Sequence, residues 1–421
     1  MVATEAAGDG LGREAAGGYL SAHIRTGVRS RDRGRICYNK GTNPPQDIKL
    51  REALRSKRVA VAVGVAALFI LGLAFNTWFA VLNRTGFGVD YKPFYAGSHL
   101  AGTGHAYDMD ALQKAGAAGG VSSRLPVVIY GHKILSGLPY GEAHSIWMAG
   151  TVVALVAFAA FWPGTRRLLM GMALVWSIPA ALMLLYGQDS PIWLMFFTAA
   201  LLLIERKRPW SAGVVFSLCI CKFHLSLGIP ILLAAQKRWK TMIAGTIGTV
   251  VWIGACFLIE GPQWPLRYWE MSKIGVFNPA AGRMPTLHGI ASWLPWTVVT
   301  ETVLAGALVL ILWVTLRHTH DLGTAGAAAI AGGLLLSPHA YANELVLLIP
   351  LAVLTFQRPN VPSWLKGWAV LLLSPAPVLL LVTPEPWLGQ VFIAAFAVTA
   401  IIALKPNPLS EATAGDAQGA T

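Results

Sequence analysis

Charge is what this sequence has least of. Only 13% of its 421 residues are Asp, Glu, Lys or Arg, against about 25% in an ordinary soluble domain. A chain so poor in charge cannot clothe a water-facing surface of this size, which excludes a soluble enzyme. Cysteine is as sparse: Cys37, Cys219, Cys221 and Cys256 are the four, three of them inside apolar runs. None has the spacing of a zinc site or a disulfide framework, so they read as small hydrophobes. No apolar run precedes Val59, so a cleavable signal peptide is not expected. Ten-residue segments of alternating hydrophobicity are missing too, which excludes a membrane β-barrel.

What is abundant is apolar length. The chain is 55% hydrophobic with a mean hydropathy of +0.56, in repeated runs near the roughly 20 residues that a helix needs to cross a bilayer. The fold class expected is all-α: a polytopic helical membrane protein with a bundle of about twelve transmembrane helices and two longer outer loops. The first span lies at 59–82, ten more between 144 and 382, and the last at 386–404. The stretch 210–235 reads either as two short spans meeting at 222/223 or as one kinked run. Residues 1–57, rich in Gly, Ala and Arg without sustained periodicity, are expected to be a disordered basic tail. Residues 58–405 form the transmembrane domain and 406–421 a second disordered tail.

The net charge of +13 suits nucleic acid or anionic lipid, but basic residues beside membrane spans mostly hold those ends in the cytoplasm. No nucleic-acid partner is therefore expected. With the N-terminal tail inside, the inner joints carry Arg166-Arg167, Arg206-Lys207-Arg208, Lys237-Arg238 with Lys240, Arg317, Arg358 with Lys366, and Lys405, while the short outer joints carry almost none, Lys222 being the exception. The pattern holds at every joint if 210–235 crosses twice. The expectation is a multi-pass protein of the cell (inner) membrane with both termini cytoplasmic.

That orientation gathers the remaining polar residues on the outer face: Asp90, the joint Tyr186–Ser190, Lys222 with His224, Arg283 with His288, and the joint Ser337–Glu344. A transporter keeps its ionisable groups near the bilayer midplane between internal repeats, and no repeat is visible. An enzyme working at the outer leaflet fits better; a lipid or glycolipid transporter is the alternative, and a non-catalytic scaffold a third. Asp90 follows the first span directly, and Tyr91, Phe94 and Tyr95 beside it suit the headgroup zone.

In chain order, Asp90-Tyr91-Lys92-Pro93-Phe94-Tyr95-Ala96-Gly97, Gly104-His105-Ala106-Tyr107-Asp108, Gly187-Gln188-Asp189-Ser190, Arg208-Pro209-Trp210-Ser211-Ala212-Gly213, Cys221-Lys222-Phe223-His224 and Ser337-Pro338-His339 resemble the polyprenyl-phosphate-sugar-dependent glycosyltransferases of family 87, within the membrane-embedded GT-C class. The resemblance implies transfer of a hexose, usually mannose, from a polyprenyl-phosphate sugar donor to a glycan or glycolipid acceptor among membrane lipids, with inversion. It also implies that the aspartate opening the first outer loop, here Asp90, is the base.

Such transfer needs a base for the acceptor hydroxyl and donors or positive charge where the phosphate leaves. Asp90 is the candidate base. Lys222, His224, Arg283, His288 and His339 are candidates for the donor phosphate, and Tyr91, Tyr95, Gln188, Asp189 and Asn343 for substrate contacts. No metal-ligand spacing is present, and neither a metal nor another cofactor is expected. Each residue also has an ordinary structural reading. Asp90 can cap a helix, Gln188-Asp189-Ser190 before Pro191 can start one, and Lys222 can snorkel from a span end. His339 and Asn343, four apart, can share a helix face.

Overall fold

The computed structural model describes residues 46–82, 87–117, 120–121, 123–274 and 280–404. The expected tails 1–45 and 406–421 lie outside the described residues, whereas 46–57 is already helical. Among the described residues every regular element is a helix and no strand occurs.

In chain order, α1 (Gln46–Leu82) is followed by a loop layer of short helices, α2 (Tyr91–Leu100), α3 (Met109–Lys114) and α4 (Pro126–Gly131). Then come α5 (Tyr140–Phe161), the pair α6 (Arg167–Trp176) and α7 (Ile178–Tyr186) bent by 68°, and α8 (Ser190–Glu205). Next, α9 (Pro209–Ser217) and α10 (Gly228–Ala235) flank a 3₁₀ stretch, Leu218–Leu227, and α11 (Trp239–Glu260) follows. A second loop holds α12 (Trp264–Ser272) and α13 (Leu287–Ala291) before α14 (Thr297–His318) and α15 (Leu322–Leu336). The last elements are the 3₁₀ stretch Ala342–Leu348 with α16 (Ile349–Gln357), the pair α17 (Ser363–Leu373) and α18 (Ala376–Val382) bent by 63°, and α19 (Trp387–Ala403). The bends have a local cause: Pro179 and Pro375 lack the backbone donor a continuous helix needs, and Ser177 and Ser374 beside them cap the break.

By length and composition five helical stretches can cross a membrane, Pro209–Ala235 taken as one of them, or up to seven if each bent pair is one span, and four apolar helices are shorter. The count of about twelve also takes in those four shorter helices and counts 210–235 as two. The bundle is a polytopic helical membrane protein. Its centre is α15, buried from Leu322 to Leu335 and built largely of Gly and Ala. Small residues let neighbouring backbones approach closely, which is how helices associate where lipid is as apolar as any side chain.

Neighbouring helices settle the path of 209–235. A side chain at Gly213 would collide with the Thr241 carbonyl and Ala244, and further along Ser217 accepts from Trp252 Nε1 at 3.2 Å. So α9 runs parallel to α11, and both start at one end of the bundle. Three residues, Gln236-Lys237-Arg238, join α10 to α11, so the chain returns to that end between them. The return limb runs antiparallel to α15: Gly228 packs on Ala329 and Leu225 on Gly333. The apex is Lys222, at φ −132° and ψ 62° the non-helical residue of its stretch. Limbs of about 13 residues rise about 20 Å.

The joints thus sort to two ends. At one end Gln357 bonds Gly164 and Arg166, Gln236 bonds Thr319 at 2.8 Å, and Arg358 meets Asp321 at 3.2 Å and the Leu404 carbonyl at 3.3 Å. This is the end with the basic joints. The other end holds Asp90, Gln188, Lys222 and Glu344.

Candidate functional site

A cavity of about 300 Å³ opens at the second end, lined by residues from five separate parts of the chain. Asp90 comes from the turn between α1 and α2. That turn is fastened to the end of α7 by backbone bonds, Gly88 N to Leu185 O at 2.8 Å and Asp90 N to Tyr186 O at 3.0 Å. Gly88 takes φ +65°, and a side chain there would strike Tyr140 and His144, so only glycine fits both demands. Asp90 occupies the N-cap position of α2, but its carboxylate makes no capping bond. It accepts instead from Gln188 Nε2 at 2.5 Å.

Behind Gln188 lies a network of buried charges. Asp189 holds Arg124 through two bonds, from Nε at 2.6 Å and Nη2 at 2.9 Å. Lys222 Nζ, 1% exposed, donates to Glu344 Oε1 at 2.7 Å and Gln188 Oε1 at 3.0 Å and lies 3.4 Å from Asp189. Arg124 Nη2 also reaches Gln188 Oε1 at 3.2 Å, and its guanidinium sits over the Phe94 ring. The other Glu344 oxygen accepts from Tyr341 N at 3.0 Å. Burial pushes the Asp189 carboxyl up, but Arg124 and then Lys222 outweigh it and bring it to about 2. Asp90 ends above the ordinary carboxylate range, because burial outweighs the Gln188 bond and the two more distant cations.

The opposite wall is aromatic and polar. His224 follows the Lys222 apex, its ring edge-on to His339 at 5.6 Å, and His339 is edge-on to Tyr341 at 5.0 Å. Burial, slightly relieved by Glu344, holds the His339 imidazole down at about 4, so it is neutral near pH 7. The Tyr341 phenol is pushed up to about 12 by burial and then by Asp90.

Of the residues singled out in the sequence, Asp90, Gln188, Lys222, His224 and His339 line the cavity. Asp189 stands behind it, tied to Arg124 and Lys222 rather than capping α8. Tyr91 is fully buried and stacked on Trp147 at 5.7 Å, and Tyr95 donates to the Leu138 carbonyl at 2.6 Å; neither faces the cavity. Asn343 is buried in the 3₁₀ stretch, while His339 precedes it in the joint, so the two do not share a helix face. Arg283 and His288 lie apart: His288 Nδ1 is 2.8 Å from Glu301 Oε2, and Arg283 is exposed. Sequence reasoning missed Arg124, Tyr341 and Glu344. Glu344 did carry a signal, as the one acid between Asp321 and Glu385 in a mainly apolar stretch. Among the described residues no three His, Cys, Asp or Glu side chains gather as a metal site.

A family model described as glycosyltransferase family 87 matches residues 126–338, just over half of the chain. The match takes in Gln188, Asp189, Lys222 and His224, and ends one residue before His339. No curated protein and no solved structure matches the chain.

Proposed function

Because the chain belongs to glycosyltransferase family 87, we propose that this cavity moves a hexosyl group, mannosyl in the first instance, from a polyprenyl-phosphate-linked sugar to a glycan or glycolipid acceptor. The observation that carries the reading is the state of the two carboxylates on the wall. Glu344 is committed to Lys222, whereas among the described residues no cation pairs with Asp90. Its raised proton affinity suits a base, which must take the acceptor hydroxyl proton as that oxygen attacks the anomeric carbon. The bond from that carbon to the phosphate oxygen breaks and the phosphate leaves with the electron pair. Developing negative charge there calls for donors, and His224, His339 and Tyr341 line the same space. Lys222 contributes from behind, since its ammonium protons already have acceptors.

Purified protein supplied with labelled polyprenyl-phosphate hexose and a glycolipid acceptor tests this reading. Label passing to the acceptor supports it. Transfer from a nucleotide sugar alone, or movement of intact donor lipid without transfer, overturns it.

The reading includes orientation. The basic end belongs in the cytoplasm by the charge rule, which puts the cavity at the outer face of the cell membrane. A cysteine introduced at Thr103, on a background without native cysteines, should react with an impermeant reagent from outside. One at Arg358 should react only after the membrane is opened, and the reverse pattern would sink the orientation.

Arg283 and His288 are assigned no part in the cavity. Arg283→Ala and His288→Ala should each change turnover by less than about twofold, as substitutions away from a site usually do. A tenfold loss in either would extend the donor site into the second loop.

A further inference from the structure

From the geometry of its side-chain amide, we infer that Gln188 is a positioning residue that fixes the direction of the Asp90 carboxylate and holds it ready to accept a proton. The inference rests on the reading of Asp90 as the base. Gln188 carries one acceptor and one donor group, and both have demanding neighbours. Its Oε1 receives Lys222 Nζ at 3.0 Å and Arg124 Nη2 at 3.2 Å, while its Nε2 donates to Asp90 Oδ2 at 2.5 Å. The flipped amide would set an NH₂ against two cationic donors and an oxygen against a carboxylate, so the two cations dictate which way the amide points. Its NH₂ then always faces Asp90. With Oδ2 engaged, Oδ1 is the oxygen left for an acceptor hydroxyl.

The same amide passes on part of the cationic character of the pair. A hydrogen bond to the ionised carboxylate favours that form, and polarisation of the amide by two cations strengthens its N–H donors. Gln188 therefore ties a base that must stay reactive to charges that would neutralise its basicity if they paired with it directly.

Other groups around Asp90 leave this link distinct. Arg124 and Lys222 act on it as distant positive charges and Asp189 as a distant negative one. Tyr186 adjoins from the end of α7, and the Tyr341 phenol is raised by burial, so it stays neutral near pH 7. His224, His339 and Glu344 line the same cavity, and Glu344 is bound to Lys222.

The test is the pH profile of kcat/KM for Gln188→Ala and Gln188→Glu beside the wild type. Alanine removes the donor to Asp90, so the acid limb should move to higher pH. The rate at neutral pH should fall about tenfold, a part of the 100 to 10,000 that a positioned base contributes, and recover toward alkaline pH. Glutamate keeps the acceptors for Lys222 and Arg124 and nearly the same size, but sets a negative charge beside Asp90. Its acid limb should move further still. Equal losses at every pH, with the limb unmoved in both variants, would overturn the inference and make Gln188 a structural or substrate-binding residue. Failure of the underlying reading shows separately, as near-normal turnover when Asp90 itself is replaced.

Discussion

Asp90→Asn protein should melt at the wild-type temperature and, at saturating donor and acceptor, should turn over about 100 to 10,000 times more slowly, the span expected when a positioned base is lost. The substitution is close to isosteric, and the amide oxygen still accepts from Gln188, so the turn that carries it has no reason to move. Only basicity is removed. The carboxylate makes no capping bond to α2, so no helix-capping energy is lost with it. The pH dependence of the wild type has a definite sign. Asp90 takes up its proton at higher pH than an ordinary carboxylate, burial being the main cause. With Asp90 as the base, turnover should therefore decline as pH falls through that raised value and be sustained above it. Steady-state rates with a melting curve decide the matter: near-normal turnover in a folded variant removes Asp90 from the chemistry.

Lys222→Ala should be the most destabilising single change at the site, by about 3–5 kcal/mol, the cost of leaving one side of a buried ion pair without its partner. Glu344 loses its 2.7 Å contact and Asp189 its second cation, and neither carboxylate is more than 3% exposed. Adding Glu344→Gln should restore a substantial part of the loss, because the double variant no longer buries that lone charge; coupling of this kind is read from a double-mutant cycle. Thermal melting in detergent is the measurement. A variant that melts like the wild type and loses only donor affinity would assign Lys222 directly to the phosphate, as a charge-assisted contact. The same geometry rules out snorkelling as an account of Lys222, since its ammonium points into the protein and not toward water.

The helical class was legible because it follows from composition: in lipid every backbone group must bond within its own segment, and long apolar runs without alternation leave only helices. The number of crossings was less legible. Hydropathy cannot tell one kinked run over 210–235 from two limbs that meet at Lys222. The positive charges at Arg206–Arg208 and Lys237–Arg238 did carry that information, since both joints fit one side if the intervening chain returns, as the packing against α11 and α15 shows. In the site, Asp90, Gln188, Lys222, His224 and His339 stand out as polar residues at the ends of apolar runs. Arg124 does not: it sits in a polar loop among Ser123 and Leu125 with nothing local to mark it, and its role exists through a partner 65 positions away. Tyr91 and Tyr95 stand out in the sequence as aromatic residues beside Asp90, but in the fold Tyr91 stacks on Trp147 and Tyr95 donates to the Leu138 carbonyl.

The buried network also bears on how the chain is made. Read from the N-terminus, its ionisable members are Asp90, Arg124, Asp189, Lys222 and Glu344, and their signs alternate. In synthesis, where earlier segments fold first, Arg124 is in place before Asp189, Asp189 before Lys222, and Lys222 before Glu344. Asp189, Lys222 and Glu344 thus each arrive after a counterpart, and Asp90, which precedes them all, stays at the end that carries the cavity. The order of the sequence means that neither Asp189 nor Glu344 is buried before a cation is there to meet it.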